Sequence, residues 1–393
     1  MKKKIVIFDD EDRVGRGYAK NLQKMQEITS AFEVCTLDNK SFEKELDALE
    51  NRRKSYRNKA IATGQTILDE TSIFIIDYDL LKYPKSEYLT GENVAYLARG
   101  FSRCALIIGL NQYNRVGENI FDLKLKGHPE SYCDLNISST QICNPGLWGE
   151  TRTRFRSWHW PQLINYVEFT ERRIEEAKKH VDDPVVEVLG LKETFEEFPR
   201  SVSEFLGPNP EETTFRRFAQ ESGKGLRMKD LNDDEDNVAI IAQARIAKWL
   251  ERLVLPGQDI LVDAPHLVSR FPSLLKGDHK SKDLWNRTAC FGKADSLPLH
   301  HEKIKNNSFK KDYWLSRPVW FWPCLCNSST IDEVVAPWKR EAADFLFCED
   351  SSTFERREDC RQFRAEVDSV YVQRFVNLHP ITGVDYQPQV RLL

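Results

Sequence analysis

What the chain lacks narrows its class first. It has no run of about 18 consecutive apolar residues, the length a membrane-spanning helix needs, so the sequence offers no transmembrane segment. The apolar run Ile5-Val6-Ile7-Phe8 that follows Met1-Lys2-Lys3-Lys4 is too short for the core of a secretory signal, and it ends in acids. A cytoplasmic protein with no membrane partner is the expectation. Charge of one sign is also missing. With 57 Lys and Arg against 61 Asp and Glu, the formal net charge is −4, so no global positive field draws the chain to nucleic acid. Any nucleic-acid contact would be local and is not favoured. Nor is there a dense block of cysteines: the nine are scattered over 393 residues, which fits reduced thiols rather than a disulfide scaffold. A fixed-period repeat, a P-loop, Gly-x-Ser-x-Gly, His-Glu-x-x-His and a helix-turn-helix signature are all absent.

What is present is enough apolar material for a core, 40% hydrophobic and 11% aromatic residues, in a chain long enough for two or three domains. Residues 1–145 alternate strand-like runs at 4–8, 32–37, 72–76, 105–110 and 132–137 with amphipathic stretches at 13–28, 41–62 and 91–101. The strands are nearly continuous in Ile, Val, Leu and Phe, as strands covered on both faces should be. This predicts an α/β domain, a doubly wound parallel five-stranded sheet. Thr90-Gly91-Glu92 reads as a helix start, the charged helix 41–62 as a solvated face, and Asn144-Pro145-Gly146 as the closing turn.

Residues 146–183 read as a linker and connector helix. The basic, aromatic stretch 151–160 leads into a helix over 161–180 with Leu163, Ile164, Val167 and Ile174 on one stripe, stopped by Asp182-Asp183-Pro184. It is either a connector or a dimerisation element, so a homodimer stays open. Residues 184–393 read as a mainly helical α+β C-terminal module. Within it are breaks at 207–210 and at the acidic run 232–237, a buried helix over 238–255, a polar stretch 276–312 expected to be a mobile loop, an aromatic strand at 318–323 and a helix near 331–346.

The informative feature is where the acids fall. Asp9 and Asp10 follow the first strand, and Asp77, with Asp79 two residues on, ends the third. In a doubly wound sheet the carboxyl ends of the strands converge on one edge. Carboxylates gathered there repel and raise one another's pKa unless a cation intervenes, and hard oxygen ligands suit Mg²⁺.

On Lys4-Ile5-Val6-Ile7-Phe8-Asp9-Asp10-Glu11 and Ile73-Phe74-Ile75-Ile76-Asp77, the first 140 or so residues resemble the receiver domain of two-component response regulators. The resemblance implies a flavodoxin-like fold with Asp77 as phosphoacceptor. It also implies Mg²⁺ held by Asp9, Asp10, Asp77 and the backbone carbonyl of Asp79, with a partner histidine kinase or another phosphodonor. Phosphorylation would then control contacts of the C-terminal module with a protein partner. Receivers carry a Ser or Thr at the end of the fourth strand and a Lys at the end of the fifth. Here the candidates for these switch positions are Gly109, Asn111, Asn136 and Ser138. Gly109 has no hydroxyl, and Asn136 can donate a hydrogen bond but brings no charge. Retained phosphorylation with altered switching and a pseudo-receiver scaffold both stay open.

The same acids allow an enzyme. Asp77-Tyr78-Asp79 together with Glu11 resembles the acidic set of Toprim nucleases and primases, which use Mg²⁺ in phosphodiester chemistry. Asp10-Glu11-Asp12 is similar to the Asp-x-Asp of haloacid-dehalogenase-like phosphotransfer enzymes. Farther on, Cys324 and Cys326 with Cys290, His300, His301, Cys348 and Cys360 raise a zinc site against ordinary buried thiols. Arg154 and His159 are similar in spacing to the Arg-x4-His of HEPN ribonucleases, against packed aromatics with cationic neighbours. Trp320, Phe321 and Trp322 are expected in a core or a partner contact.

Overall fold

A computed structural model describes residues 2–58, 64–83, 89–111, 131–149, 162–221, 234–255, 258, 260–270, 275, 282–286, 306–315, 317–326, 344–362 and 374–379. Strands β1 (Lys3–Phe8), β2 (Phe32–Thr36), β3 (Thr71–Asp77), β4 (Leu106–Asn111) and β5 (Leu135–Ser138) form one sheet in the order β2-β1-β3-β4-β5. Every pairing is parallel. This is the flavodoxin-like doubly wound order.

The side chains of each strand alternate between two cores. Val6, Phe8, Phe74, Ile76 and Ile107 face one cluster, and Ile5, Ile7, Ile73, Ile75, Leu106 and Ile108 face the other. The first face is covered by α3 (Asn39–Arg57) through Phe42 and Leu49, and by α4 (Gly91–Phe101) through Val94, Ala98 and Phe101. On the second face lie α1 (Asp12–Leu22) and α2 (Gln26–Ala31). The helix predicted over 13–28 is thus two. Its break lies at Gln23-Lys24-Met25, where Met25 N–H closes a turn onto Leu22 O at 3.0 Å and the Gln23 carboxamide donates to Val34 O at 3.0 Å. The bend lets Leu22 and Ile28 both reach the core. β5 starts three residues later than predicted because 132–134 are held otherwise. Tyr132 N–H is taken by Glu92, and the Asp134 carboxylate accepts from Arg99 and from Ile107 N–H.

α5 (Leu163–Lys179) touches both cores: Leu163, Tyr166 and Val167 lie in one, Phe169 and Ala177 in the other. From there the first cluster continues through α6 (Val185–Val188) and α7 (Arg200–Ser203) into α8 (Phe215–Glu221) and α9 (Glu235–Trp249), the last prolonged by the π-helical turn Leu250–Val254. Only the first two residues of α9 are not buried, so it runs through the interior. Its acidic start is satisfied locally, with Asp234 accepting from Asp236 N–H and the Asp236 carboxylate paired with Lys178 and Arg103.

Besides short helices such as Ala264–Arg270, the remaining described chain contains two small sheets. β6 (Leu261–Asp263) pairs antiparallel with β7 (Val319–Phe321), and β8 (Phe345–Cys348), β9 (Thr353–Arg356), β10 (Cys360–Gln362) and β11 (Phe375–Asn377) lie in the order β10-β11-β8-β9. The predicted strand 318–323 is therefore shorter, since Trp322 and Pro323 open the helical turn Trp322–Cys326, and Trp320 is fully buried in the local core. Where a helix was expected near 331–346, residues 331–343 lie outside the described residues and Phe345 opens a strand instead. Of the predicted loop 276–312, residues 282–286 are helical and 306–312 are turn-rich. The stretch 150–161, with Arg154 and His159, lies outside the described residues. Among the described residues no helix is long and apolar enough to cross a membrane.

Candidate metal centre

β1 delivers Asp9 and Asp10 to the carboxyl edge of the sheet, and β3 delivers Asp77 beside them. Each offers a carboxylate oxygen within 4.8 Å of the other two, and among the described residues no other group of three His, Cys, Asp or Glu side chains does so. Asp9 is nearly enclosed: its Oδ1 accepts Glu11 N–H at 2.9 Å, and Gly15 packs so closely that a Cβ there would stand 3.3 Å from the Asp9 Cβ. Asp10 Oδ2 accepts Lys82 N–H at 2.5 Å, which ties the β3–α4 loop to the end of β1.

Around Asp77 the backbone is crowded. Tyr78 N–H bonds Leu110 O at 2.9 Å and Gly91 N–H bonds Tyr78 O at 2.8 Å, so the first turn of α4 lies against the end of β3. A Cβ at Gly91 would lie 2.4 Å from Asp77 O. Only glycine fits. Thr90 caps this helix through a reciprocal pair with Asn93.

The electrostatics follow from that packing. Burial pushes the Asp77 carboxyl up to about 7, with the Asp9 and Asp10 charges acting in the same direction. Asp9 is pushed up to about 6, again first by burial, while the Glu11 amide acts against it. Tyr18 reaches the same place from α1: its hydroxyl bonds Ser139, and burial plus the Asp9 and Asp77 charges push it up to about 12. The nearby cation is Lys82, whose Nζ pairs with Glu11. Three hard oxygen donors gathered at one edge suit a divalent cation such as Mg²⁺, which favours their charged forms and keeps part of its water shell.

The other predicted site residues fall as follows. Asp79 is exposed, and its backbone N–H donates to the Asp77 carboxylate. Asn111 and Ser138 end β4 and β5 as register partners, Asn111 one position beyond the level of Asp77. Asn111 donates through Nδ2 to Asn136 Oδ1 at 3.1 Å, and Ser138 Oγ lies 3.0 Å from Thr140 Oγ1. Gly109 lies farther back in β4, where a Cβ would meet Asn136 Oδ1 at 2.7 Å and Cys133 Sγ at 3.1 Å, so the Asn136 carboxamide fills the space a side chain there would need. Asp12 sits in the first turn of α1, paired with Arg16 at 3.0 Å, and Glu11 is exposed.

Sequence reasoning missed Tyr18, Lys82 and the constraint at Gly91. Tyr18 is one aromatic on an amphipathic helix and Lys82 one lysine in a loop, so neither carries a local signal; Gly91 stood out only as part of a helix start. Of the zinc candidates, Cys324 is exposed and Cys348 and Cys360 are near neighbours, while Cys290, His300, His301 and the Cys326 side chain lie outside the described residues. Comparison of the chain with protein-family models, with curated proteins and with solved structures gives no match in any of the three.

Proposed function

We propose that the chain is a cytoplasmic, receiver-like signalling protein in which Asp77 accepts a phosphoryl group in a Mg²⁺-dependent reaction. On this reading residues 1–145 are the receiver unit, 146–183 connect it, and 184–393 carry the output through contact with a protein partner. The observation that supports it is the convergence of the Asp9, Asp10 and Asp77 carboxylates within 4.8 Å at the carboxyl edge of the sheet. Asp9, Asp10 and Asp77, with the Asp79 carbonyl, are the groups that would hold the metal. Bound there, Mg²⁺ supplies the positive charge that offsets the phosphoryl oxygens and the neighbouring acids.

The chain's own part is nucleophilic. An Asp77 carboxylate oxygen attacks the phosphorus of a phosphohistidine or small phosphodonor, the bond from phosphorus to the donor breaks, and the electron pair leaves with the donor. The Asp79 N–H bonds that carboxylate, and the tight turn at Gly91 packs against the Asp77 backbone. The outward position of Glu11 and the helix-bound pairing of Asp12 favour this reading over the two enzyme readings, which need those acids in the site.

A second reading has an observation of its own. The Asn136 carboxamide fills the space beside Gly109 and accepts from Asn111, so these positions are spent on internal packing, as in a metal-binding scaffold without phosphotransfer. Intact-mass measurement of the protein incubated with acetyl phosphate and Mg²⁺ separates the two. One added phosphoryl group in the wild type and none in Asp77→Asn supports the receiver. No addition, with a control receiver reacting, supports the scaffold.

A further inference from the structure

Outside the acidic centre, the small sheet β10-β11-β8-β9 brings two thiols together. Cys348 ends β8 and Cys360 opens β10, and β11 pairs with both through Phe375 and Asn377. Their sulfurs stand 3.3 Å apart. Cys360 donates its S–H to Arg356 O at 2.9 Å, which leaves Cys348 as the donor between the two thiols. The backbone on either side is held independently of the sulfurs. Arg357 N–H bonds Asp344 O at 3.0 Å, Leu378 N–H bonds Asp359 O at 2.7 Å, and the Asp350 carboxylate accepts from Asn377 N–H at 3.1 Å and from its Nδ2 at 2.8 Å. The framework, not a bond between them, sets the thiol pair.

We infer that Cys348 and Cys360 are a dithiol site that reacts with small-molecule disulfides of the glutathione class to form a reversible internal disulfide. A disulfide needs the sulfurs about 1.2 Å closer than they stand. Zinc fits the pair less well. Two thiolates on one tetrahedral zinc stand about 3.8 Å apart and need two further ligands, and among the described residues no His, Cys, Asp or Glu joins them in such a group.

The two thiols have different tasks. Cys348 is fully buried, and its hydrogen bond to Cys360 together with burial raises its pKa, so it is held as the thiol. Cys360 is half-exposed and meets the oxidant. Its thiolate attacks one sulfur of the small disulfide, forming a mixed disulfide and releasing one small thiolate. Cys348 then loses its proton and attacks Cys360 Sγ, expelling the second small thiolate. Two protein S–H bonds and one small disulfide become one protein disulfide and two small thiols. The two electrons pass to the small disulfide, and the two protons end on the released thiols. The closed ring encloses β9 and the turn Arg357–Asp359, and locks the β8–β9 hairpin to β10.

The test uses the full chain, reduced, then equilibrated in buffers of rising glutathione disulfide to glutathione ratio, quenched in acid, alkylated and analysed by intact and peptide mass. The expected result is the loss of two hydrogen atoms, two fewer alkylated cysteines, and a linked peptide pair carrying Cys348 and Cys360. Cys360→Ser should abolish the link and leave Cys348 without an adduct, whereas Cys348→Ser should hold glutathione on Cys360. The proposal is overturned if the wild type keeps both cysteines alkylatable at every ratio, keeps glutathione on Cys360 without closing the ring, or links other cysteines instead. Zinc that co-purifies with the wild type and is lost in Cys360→Ser also overturns it. Cys360→Ser changes a half-exposed residue, so the test does not depend on tolerance of a change at buried Cys348.

Discussion

At Asp77 burial and the charges of two neighbouring carboxylates act in the same direction, and the group holds its proton to about 7. Asp9 holds its proton to about 6, whereas both titrate near 4 in the unfolded chain. Between about pH 4 and 7 the folded chain therefore binds more protons than the unfolded one, and these two residues make the metal-free protein less stable as pH rises through that window. Asp77→Asn should thus raise the urea midpoint of the metal-free protein more at pH 7.5 than at pH 4.5. A gain of equal size at both values would remove the electrostatic account. Gly91 is the second residue with a sharp expectation. Gly91→Ala forces a methyl group against the Asp77 carbonyl and should cost about 2 kcal/mol, read as a lowered thermal midpoint with the sheet's far-UV spectrum retained. At this scale the acids were legible, because acids at the ends of two apolar strands form a pattern along the chain. Tyr18 and Lys82 were not, because only the folded backbone brings a helix face and a loop to the same edge.

Among the elements, the parallel strands were the most legible. Uninterrupted Ile, Val, Leu and Phe runs suit strands buried on both faces; β1 extends its predicted run by one residue at the start, and β3 by one at each end. The short strands were not. Phe345-Leu346-Phe347-Cys348 is an apolar run too brief for periodicity to assign, and a β-sheet partner decides it. α3 shows what a charge pattern hides. The sequence reads it as a solvated face, yet Arg52 forks onto the Asp69 carboxylate at 2.9 and 2.6 Å and also reaches Gly64 O and Phe101 O. Arg52→Ala should lower stability by about 1–2 kcal/mol. Arg52→Lys should recover only part of it, because a lysine cannot reproduce the fork. Equal urea midpoints for the lysine variant and the wild type would show that charge alone suffices.

At the scale of the whole molecule, one hydrophobic cluster runs from Val6 in β1 through α5 to Trp249 in α9. Trp249 is fully buried, and its Nε1 donates to Val202 O at 2.8 Å, so Trp249→Ala should cost about 3–5 kcal/mol. Because the core is shared, the loss should appear at the same denaturant concentration in hydrogen exchange of β3 amides and of α9 amides. Separate midpoints would divide the sheet from the helices energetically. Continuity of this kind could not be read from the chain, where Asn144-Pro145-Gly146 marks a turn but not what packs across it. On the proposal that Asp9, Asp10 and Asp77 act as one divalent-cation site, the decisive measurement is calorimetric titration of the full chain with Mg²⁺ near pH 7. The expected result is one ion per chain with protons released on binding, because Asp77 gives up the proton it holds up to about 7, and loss of the binding heat in Asp9→Asn. No saturable heat, or binding that survives Asp9→Asn unchanged, would contradict it.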